Sequence, residues 1–410
     1  MTAISPTEDV SAFDGAPAWR RLAIALALST CSGIGLWSIV VSLPYIEAAF
    51  GADRGGASLP YTATMLGFAA GGVLMGRLAD RYGTRMPLMA GGVLLALGYG
   101  VAALSQSIWQ LSLVQGLLIG LGASGGFGPL VADISLWFRR RRGIAVAIIA
   151  SGNYLAGTVW PPILQAAIEA HGWRIAFAGL GVMVICTVVP LALALRARPP
   201  AELAADVAAQ EAGRAAAMMS KGTLQALLLL AGLSCCVAMS MPQVHIVAYC
   251  ADLGFGPARG AEMLSLMLGF GVLSRLVFGV IADRVGGVRT LILSSTLQCL
   301  ALAFYLPFDG LTSLYVVSAM FGLAQGGIVP SYALIVRQYY PAAEAGTRIG
   351  AVLMMTILGM ALGGWMSGEI YDYTGSYAAA FVNGIAFNLV NMSVAAWLLL
   401  GPRLATPRTA

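Results

Sequence analysis

The sequence predicts an all-α membrane protein with twelve transmembrane helices in two six-helix halves, and three observations support this fold class. Of its 410 residues, 59% are hydrophobic and 10% are charged, whereas soluble domains contain about 25% charged residues. Twelve apolar runs are each long enough to cross a bilayer, which takes about 20 residues. The loop GRLADRYG at Gly76–Gly83 recurs as GVIADRVG at Gly279–Gly286, so the chain contains an internal duplication.

The apolar runs also predict how the chain is organised. We expect a cytoplasmic N-terminal tail (1–21), an N-terminal six-helix half (22–196), a cytoplasmic linker (197–221), a C-terminal six-helix half (222–400) and a cytoplasmic tail (401–410). Nineteen of the 23 basic residues fall on the side of the termini and three on the other side, which is a strong positive-inside bias. The net charge of +5 follows from this bias and does not indicate a nucleic-acid partner.

The duplicated loop is expected to act in structure and gating. Its glycines let the chain turn and let helices approach closely, and its Asp and Arg side chains can pair with each other or with helix ends. The residues concerned are Gly76, Asp80, Arg81, Gly83, Gly279, Asp283, Arg284 and Gly286. Asp133 precedes the Arg139–Arg142 cluster, and we expect it in a charge network that latches the cytoplasmic side, with proton transfer as the alternative.

One basic residue, Arg275, lies inside a predicted span, close to the middle of the eighth. A guanidinium at that depth costs at least about 2.5–3.5 kcal/mol unless it faces water or a partner, so it indicates a functional site. The alternative, a buried salt bridge, is disfavoured because the sequence has no acid at a comparable depth. The planar fork of arginine suits a carboxylate, and Gly269 and Gly271 leave room for a small anion nearby.

These motifs resemble those of a known transporter family. The duplicated loop, the twelve spans and the central linker resemble the major facilitator superfamily over the whole chain, which implies the major facilitator fold. The run MPQVHIVAYCADLG (Met241–Gly254), followed by Ser274 and Arg275, resembles the bacterial branch of the monocarboxylate transporters, near the oxalate:formate antiporters. The resemblance implies that Arg275 binds the substrate carboxylate. The oxalate exchanger has a second cation in span eleven that is absent here, and one cation suits a monoanion.

Other polar residues within the spans are candidates for the same site. His245 could bind substrate or carry a coupled proton, because histidine titrates near neutral pH, or it could be a hydrogen-bonded core residue. Asn153, Tyr154 and Tyr332 offer hydrogen bonds to a carboxylate, although bonds between helices would use the same groups. Trp37, in the first span, is a candidate cavity wall.

Together these features predict a secondary transporter of a small monocarboxylate, coupled to protons and working by alternating access, and not an enzyme. We expect a monomer in the bacterial inner membrane, with a carboxylate substrate, the proton and the lipid bilayer as partners. No cofactor or metal is expected, because the six cysteines lack metal-ligand spacing. The alternatives are an exporter of drugs or neutral metabolites, an organic anion exchanger, and a non-transporting sensor on the same fold.

Overall fold

Twelve helices long and apolar enough to cross a membrane make up most of the part of the chain that the structure describes. The computed structural model describes residues 14–138, 140–195, 221–340 and 342–400. In chain order the helices are α1 (Ala16–Phe50), α2 (Arg54–Tyr82), α3 (Arg85–Ala103), α4 (Ile108–Ser135), α5 (Arg142–His171), α6 (Trp173–Ala194), α7 (Gly222–Asp252), α8 (Pro257–Val285), α9 (Gly287–Phe304), α10 (Leu311–Tyr339), α11 (Glu344–Thr374) and α12 (Tyr377–Leu400). The predicted fold class is confirmed.

The boundaries differ from the predicted ones at the N-terminus. Helix α1 begins at Ala16, inside the stretch expected to be a tail, and Pro17 lies in its first turn. Proline suits that position because the first backbone N–H groups of a helix have no intrahelical partner. The predicted linker, apart from Lys221, and the predicted tail at 401–410 lie outside the described residues.

Four of the helices are interrupted where they cross a neighbour. The interruptions are at Gly33 in α1, 125–127 in α4, Ser151 in α5 and 326–327 in α10. The break in α10 lies directly against α8, because a Cβ on Gly326 would be 2.5 Å from the backbone nitrogen of Arg275. Only glycine permits this approach, so the break in α10 helps to define the surroundings of Arg275.

The two halves meet through corresponding helices. Helix α2 packs on α11, α5 packs on α8, and α1 contacts α7, whereas α3 with α6 and α9 with α12 form peripheral pairs inside each half. Helices α2 and α8 are second in their halves, and α5 and α11 are fifth. The interface therefore has the pseudo-twofold symmetry that a duplicated chain predicts.

The duplicated loops turn at their final glycines, as predicted. Gly83 has φ +81° and Gly286 has φ +84°, a left-handed region that favours glycine. The prediction of close helix packing at the first glycines is wrong, because a Cβ on Gly76 or Gly279 would meet no atom within 4 Å. The glycines that bring helices together lie elsewhere, at positions such as Gly326.

The acidic and basic residues of the duplicated loops face outward. Asp80, Arg81, Asp283 and Arg284 are exposed, and Arg81 lies over the ring of Tyr82, with 5.3 Å from Cζ to the ring centroid. Among the described residues neither Asp80 nor Asp283 forms an ion pair. These four side chains therefore do not make the predicted pairing in this conformation.

We expect Gly322→Ala to destabilise the fold, because a Cβ on Gly322 would lie 2.1 Å from the backbone oxygen of Met267 and force α10 away from α8. Overpacking of this kind costs about 1–3 kcal/mol. The measurement is the thermal unfolding temperature in detergent. The control is Gly279→Ala, which meets open space and should leave stability unchanged or slightly raised. Equal unfolding temperatures for the two variants would contradict the assigned α8–α10 packing.

Candidate functional site

Arg275 lies on α8 at the contact between the two halves. Its Nη1 donates a hydrogen bond to the carbonyl oxygen of Ala150 in α5. Its Cζ lies 3.9 Å from the ring centroid of Tyr154, also in α5, within the range of cation–π attraction. The guanidinium, which belongs to the C-terminal half, thus contacts a carbonyl oxygen and an aromatic ring face of the N-terminal half.

The partners of Arg275 are all neutral. No carboxylate of the described residues forms an ion pair with it, and its Nε is buried without a hydrogen-bond partner. Buried donors without partners are rare in folded proteins. The positive charge of the guanidinium therefore has no counter-charge among the described residues, and its Nε–H has no acceptor. An anionic ligand would supply both.

Three of the predicted site residues lie together on the N-terminal side of this contact. The indole Nε1 of Trp37 donates to the backbone oxygen of Asn153 at 3.0 Å and to its side-chain oxygen at 3.2 Å. Tyr154 follows directly and carries the guanidinium on its ring. Trp37, at 4% exposure, thus holds the segment of α5 on which Arg275 rests.

Tyr332 is not part of this group. Its hydroxyl donates to Oδ1 of Asn391 at 2.8 Å, and Nδ2 of Asn391 donates to the hydroxyl of Ser295 at 2.7 Å. These bonds join α10, α12 and α9 inside the C-terminal half. In this conformation Tyr332 therefore forms hydrogen bonds between helices, which was the alternative to substrate binding.

His245 is fully buried, and both of its ring nitrogens are occupied. Its Nε2 donates to the carbonyl oxygen of Gly364 at 2.7 Å, and its Nδ1 accepts from the hydroxyl of Tyr377 at 3.0 Å. The carbonyl can only accept, which assigns the ring proton to Nε2. His245 therefore belongs to a hydrogen-bond chain that runs through Tyr377 toward the end of the helices where α1 joins α2.

The two ends of the helix bundle are named as follows. The end at which α1 joins α2 is called the opposite end. The end that carries the duplicated loops is called the arginine-rich end. At the opposite end Arg54 is only 5% exposed. Its two Nη atoms each lie 3.0 Å from an oxygen of Asp252 in α7, its Nε lies 2.7 Å from Glu47, and its Nη1 donates to Tyr377 in α12 at 2.6 Å. The Asp372 carboxylate of α11 accepts the backbone N–H groups of Arg54 and of the residue that follows it.

These five residues, Glu47, Arg54, Asp252, Asp372 and Tyr377, form the Arg54 cluster, which ties the two halves together. The charge count treated Arg54 only as one of three cations on its side. A signal was available in the sequence. Only three cations lie on that side, and Glu47, Asp252 and Asp372 each lie two residues beyond the end of a predicted span. Contacts between α2 and α11 and between α1 and α7 accompany the cluster, so this conformation is closed at the opposite end.

At the arginine-rich end, Asp133 belongs to a network inside one half. Nε and Nη2 of Arg21 bind its two carboxylate oxygens at 2.7 and 2.9 Å, and Thr84 donates to the same carboxylate at 3.1 Å. A charge network was predicted here, but this one fastens α1, α4 and the segment between α2 and α3. The predicted role of this network in latching its side of the protein stays a prediction.

A groove of about 600 Å³ lies apart from Arg275. It runs between α5, α8 and α10 and is lined by residues that include Thr158, Glu262, Leu273 and Tyr315. Glu262 accepts from Tyr315 and from Arg259, so its charge is already compensated. Leu273 is 49% exposed, which places this groove on the outer surface of the bundle.

Comparison with known sequences identifies transporters. The profile described as Major Facilitator Superfamily matches residues 25–286 and 228–410. Monocarboxylate transporter 13 of Bos taurus is 30% identical over 327 residues, which cover 77% of this chain and 74% of the relative. Monocarboxylate transporter 11 of Homo sapiens is 29% identical over 405 residues, covering 93% and 83%. The agnestins efflux protein AgnL12 of Paecilomyces divaricatus is 25% identical over 338 residues, covering 81% and 76%.

Solved structures share the fold at low sequence identity. A mutant of the peptide transporter POT superposes with a TM-score of 0.75 at 15% identity, covering 97% of this chain and 99% of the other. A mutant of the nucleoside transporter NupG gives 0.72 at 16% identity, covering 92% and 99%. The sequence relatives above are mammalian and fungal, so the expected place near bacterial oxalate:formate antiporters stays a prediction.

We expect Asp252→Asn to loosen the opposite end, because the buried Arg54 guanidinium would lose the charge that joins it to α7. Hydrogen bonds to charged groups contribute about 1.5–3 kcal/mol. The measurement is the distance distribution between spin labels on Ala49 and Ala378, both exposed at this end, in a background whose native cysteines are replaced by alanine. Asp252→Asn should add a population at longer distances.

The matched control is Glu262→Gln, which changes an acid at the same end whose partners, Arg259 and Tyr315, belong to its own half. This variant should leave the distances unchanged. Indistinguishable distributions for Asp252→Asn and the parent protein would show that the Arg54 cluster does not hold this end closed.

Proposed function

Because the chain belongs to the major facilitator superfamily and is a membrane transporter, we propose that it carries a small monocarboxylate by secondary active transport. The observation that carries this proposal is the guanidinium of Arg275, which lies between the halves with a carbonyl and an aromatic ring as its partners. Relatives named monocarboxylate transporters support the same class of substrate.

The chemistry of the proposed binding step follows from the partners that Arg275 has now. A carboxylate would displace the Ala150 carbonyl, because it carries a full negative charge and can accept two parallel N–H bonds from the guanidinium, whereas the carbonyl oxygen carries only a partial charge. The displaced bond joins α8 to α5, so substrate binding would weaken one contact between the halves. Binding and the rearrangement needed for alternating access would then be linked at Arg275.

We further propose that transport is coupled to the proton, carried by His245 or by the substrate itself. A proton added at Nδ1 of His245 would remove the acceptor that Tyr377 now uses. It would also place a second cation close to Arg54, which donates to the same hydroxyl. Protonation of His245 would therefore favour a state in which the Arg54 cluster has separated and the opposite end is open.

The proposed orientation puts the arginine-rich end in the cytoplasm. The positive-inside rule supports it, and the conformation described here, closed at the opposite end, would then receive substrate from the cytoplasmic side. The proposed setting is a bacterial inner membrane, with the protein acting as a monomer.

A second candidate is export of drugs or neutral metabolites. The observation that favours it is the relative named as an agnestins efflux protein, similar over 81% of this chain. In that case Arg275 would serve gating between α5 and α8. Uptake assays with small monocarboxylates separate the two candidates, because an exporter of drugs or neutral metabolites would not exchange these anions.

We expect Arg275→Lys to reduce monocarboxylate uptake at least about tenfold, because a lysine ammonium is a point charge that cannot form two parallel bonds to a carboxylate. The measurement is uptake of labelled pyruvate into proteoliposomes, with insertion and folding checked by gel filtration. Arg259→Lys is the control, because Arg259 lies at the exposed end of the same helix and pairs with Glu262.

Uptake by Arg275→Lys equal to that of the parent protein would remove Arg275 from the proposed site. The same assay tests the preference for a single charge, since a second carboxylate would have no cation to meet it. Competition in which malonate or oxalate outdoes pyruvate would contradict the monocarboxylate proposal.

We expect His245→Gln to uncouple transport from the proton gradient while leaving exchange of substrate intact. Glutamine can donate to Gly364 and accept from Tyr377 as histidine does, but it takes up no proton. For one proton per substrate, an inward gradient of one pH unit supports up to about tenfold accumulation. His171→Gln, at the exposed end of α5, is the control.

The readout is accumulation of labelled pyruvate with the gradient imposed, beside counterflow without it. A parent protein that ignores the gradient would exclude proton coupling. If the gradient drives accumulation equally in His245→Gln, the proton is carried by the substrate or by another group.

A further inference from the structure

We propose that Gln325 is a specificity-determining residue that donates a hydrogen bond to a second oxygen of the substrate, on the carbon next to the carboxylate. The preferred substrates would then be 2-oxo and 2-hydroxy acids rather than monocarboxylates that lack this oxygen. The inference rests on the proposed function, in which Arg275 binds the carboxylate.

The amide of Gln325 is held in one orientation and keeps an unused donor. Gln325 is the last residue before the break in α10 and is 1% exposed. Its Oε1 accepts a hydrogen bond from Nε2 of Gln243 in α7. Its own Nε2 is buried without a partner, so the NH₂ group points away from Gln243 toward a place where an acceptor is missing.

The unpaired amide of Gln325 lies near the ring of Tyr154, beside a glycine. A Cβ on Gly271 of α8 would lie 3.1 Å from Nε2 of Gln325 and 3.1 Å from a ring carbon of Tyr154. The amide and the tyrosine ring are therefore both close neighbours of Gly271. Any larger side chain at this position would push against both of them.

Arg275 faces the same place. It follows Gly271 by four residues, which puts both on one face of α8, and its guanidinium lies over the ring of Tyr154. Its Nε is also buried without a partner. Two unused donors, one charged and one neutral, thus lie near a single aromatic ring at the contact between the halves.

A charged donor and a neutral donor suit different acceptors. The guanidinium suits a carboxylate, whereas the amide N–H suits a carbonyl or hydroxyl oxygen. In a 2-oxo or 2-hydroxy acid these two acceptors are on adjacent carbon atoms. One small molecule of this class would satisfy both donors, whereas acetate or propionate would leave Gln325 unpaired.

The test compares pyruvate with methacrylate, in which a CH₂ group replaces the 2-oxo oxygen and the planar shape is kept. The readout is the ratio of the concentrations of methacrylate and unlabelled pyruvate that halve uptake of labelled pyruvate into proteoliposomes. For the parent protein we expect a ratio of at least about ten, because a site built to bond an oxygen rejects an analogue without it. For Gln325→Met the ratio should fall to within about twofold of one.

The matched control is Gln115→Met. Gln115 is also a buried glutamine, at 0% exposure, with an unpaired Nε2 and an Oε1 that accepts from Thr64. It lies in the contact between α4 and α2 inside the N-terminal half, so the ratio should equal that of the parent protein.

A ratio near one in the parent protein would overturn the role of Gln325 while leaving the proposed function standing. An unchanged ratio in Gln325→Met would do the same. If Gln325→Met does not fold, Gly271→Ala supplies the test: its methyl group would lie 3.1 Å from Nε2 of Gln325 and displace the amide. The ratio should then fall, and an unchanged ratio would overturn the inference. A parent protein that takes up neither acid would instead overturn the proposed function.

Discussion

The structure is organised around one cation that the surrounding bundle does not neutralise. Arg275 sits where α8 meets α5, and its partners are a carbonyl oxygen and the ring of Tyr154. A charge among membrane helices is costly unless it has a partner or faces water, so these neutral contacts hold it without fully compensating it. Such an arrangement is stable enough to persist and weak enough to be exchanged for an anion, which is the requirement for a site that must bind and release.

The Arg54 cluster shows the contrasting use of an arginine. Arg54 has the carboxylates of Asp252 and Glu47 beside its guanidinium, and Asp372 covers the backbone of its helix start, where negative charge is favourable. Several carboxylates therefore compensate its charge. The two arginines have different roles at the interface. Arg54 holds the halves together at the opposite end, whereas Arg275 has no carboxylate partner at the α5–α8 contact and can bind an anion.

Sequence reasoning was most specific where one residue carried an unusual physical demand, and it left alternatives open where distant partners decide the contacts. Arg275 stood out because no acid lies at its depth. Tyr332 and His245 could equally bond a ligand or a neighbouring helix, and in the folded chain they bond Asn391 and Gly364. Gly76 recurs in a motif, yet its position faces open space, because a repeated pattern does not state which neighbour a helix face meets.

The sequence by itself determined the twelve spans, the duplication and the isolated charge of Arg275, because these follow from hydropathy, spacing and the cost of charge in an apolar medium. Only the tertiary structure decided which helices meet across the interface, and hence that Arg54 binds Asp252 and that Gln325 and Tyr154 both lie beside Gly271. Partners so distant along the chain are fixed by the relative position and rotation of whole helices. Those are set by the sum of many packing contacts, and no local pattern of residues encodes that sum.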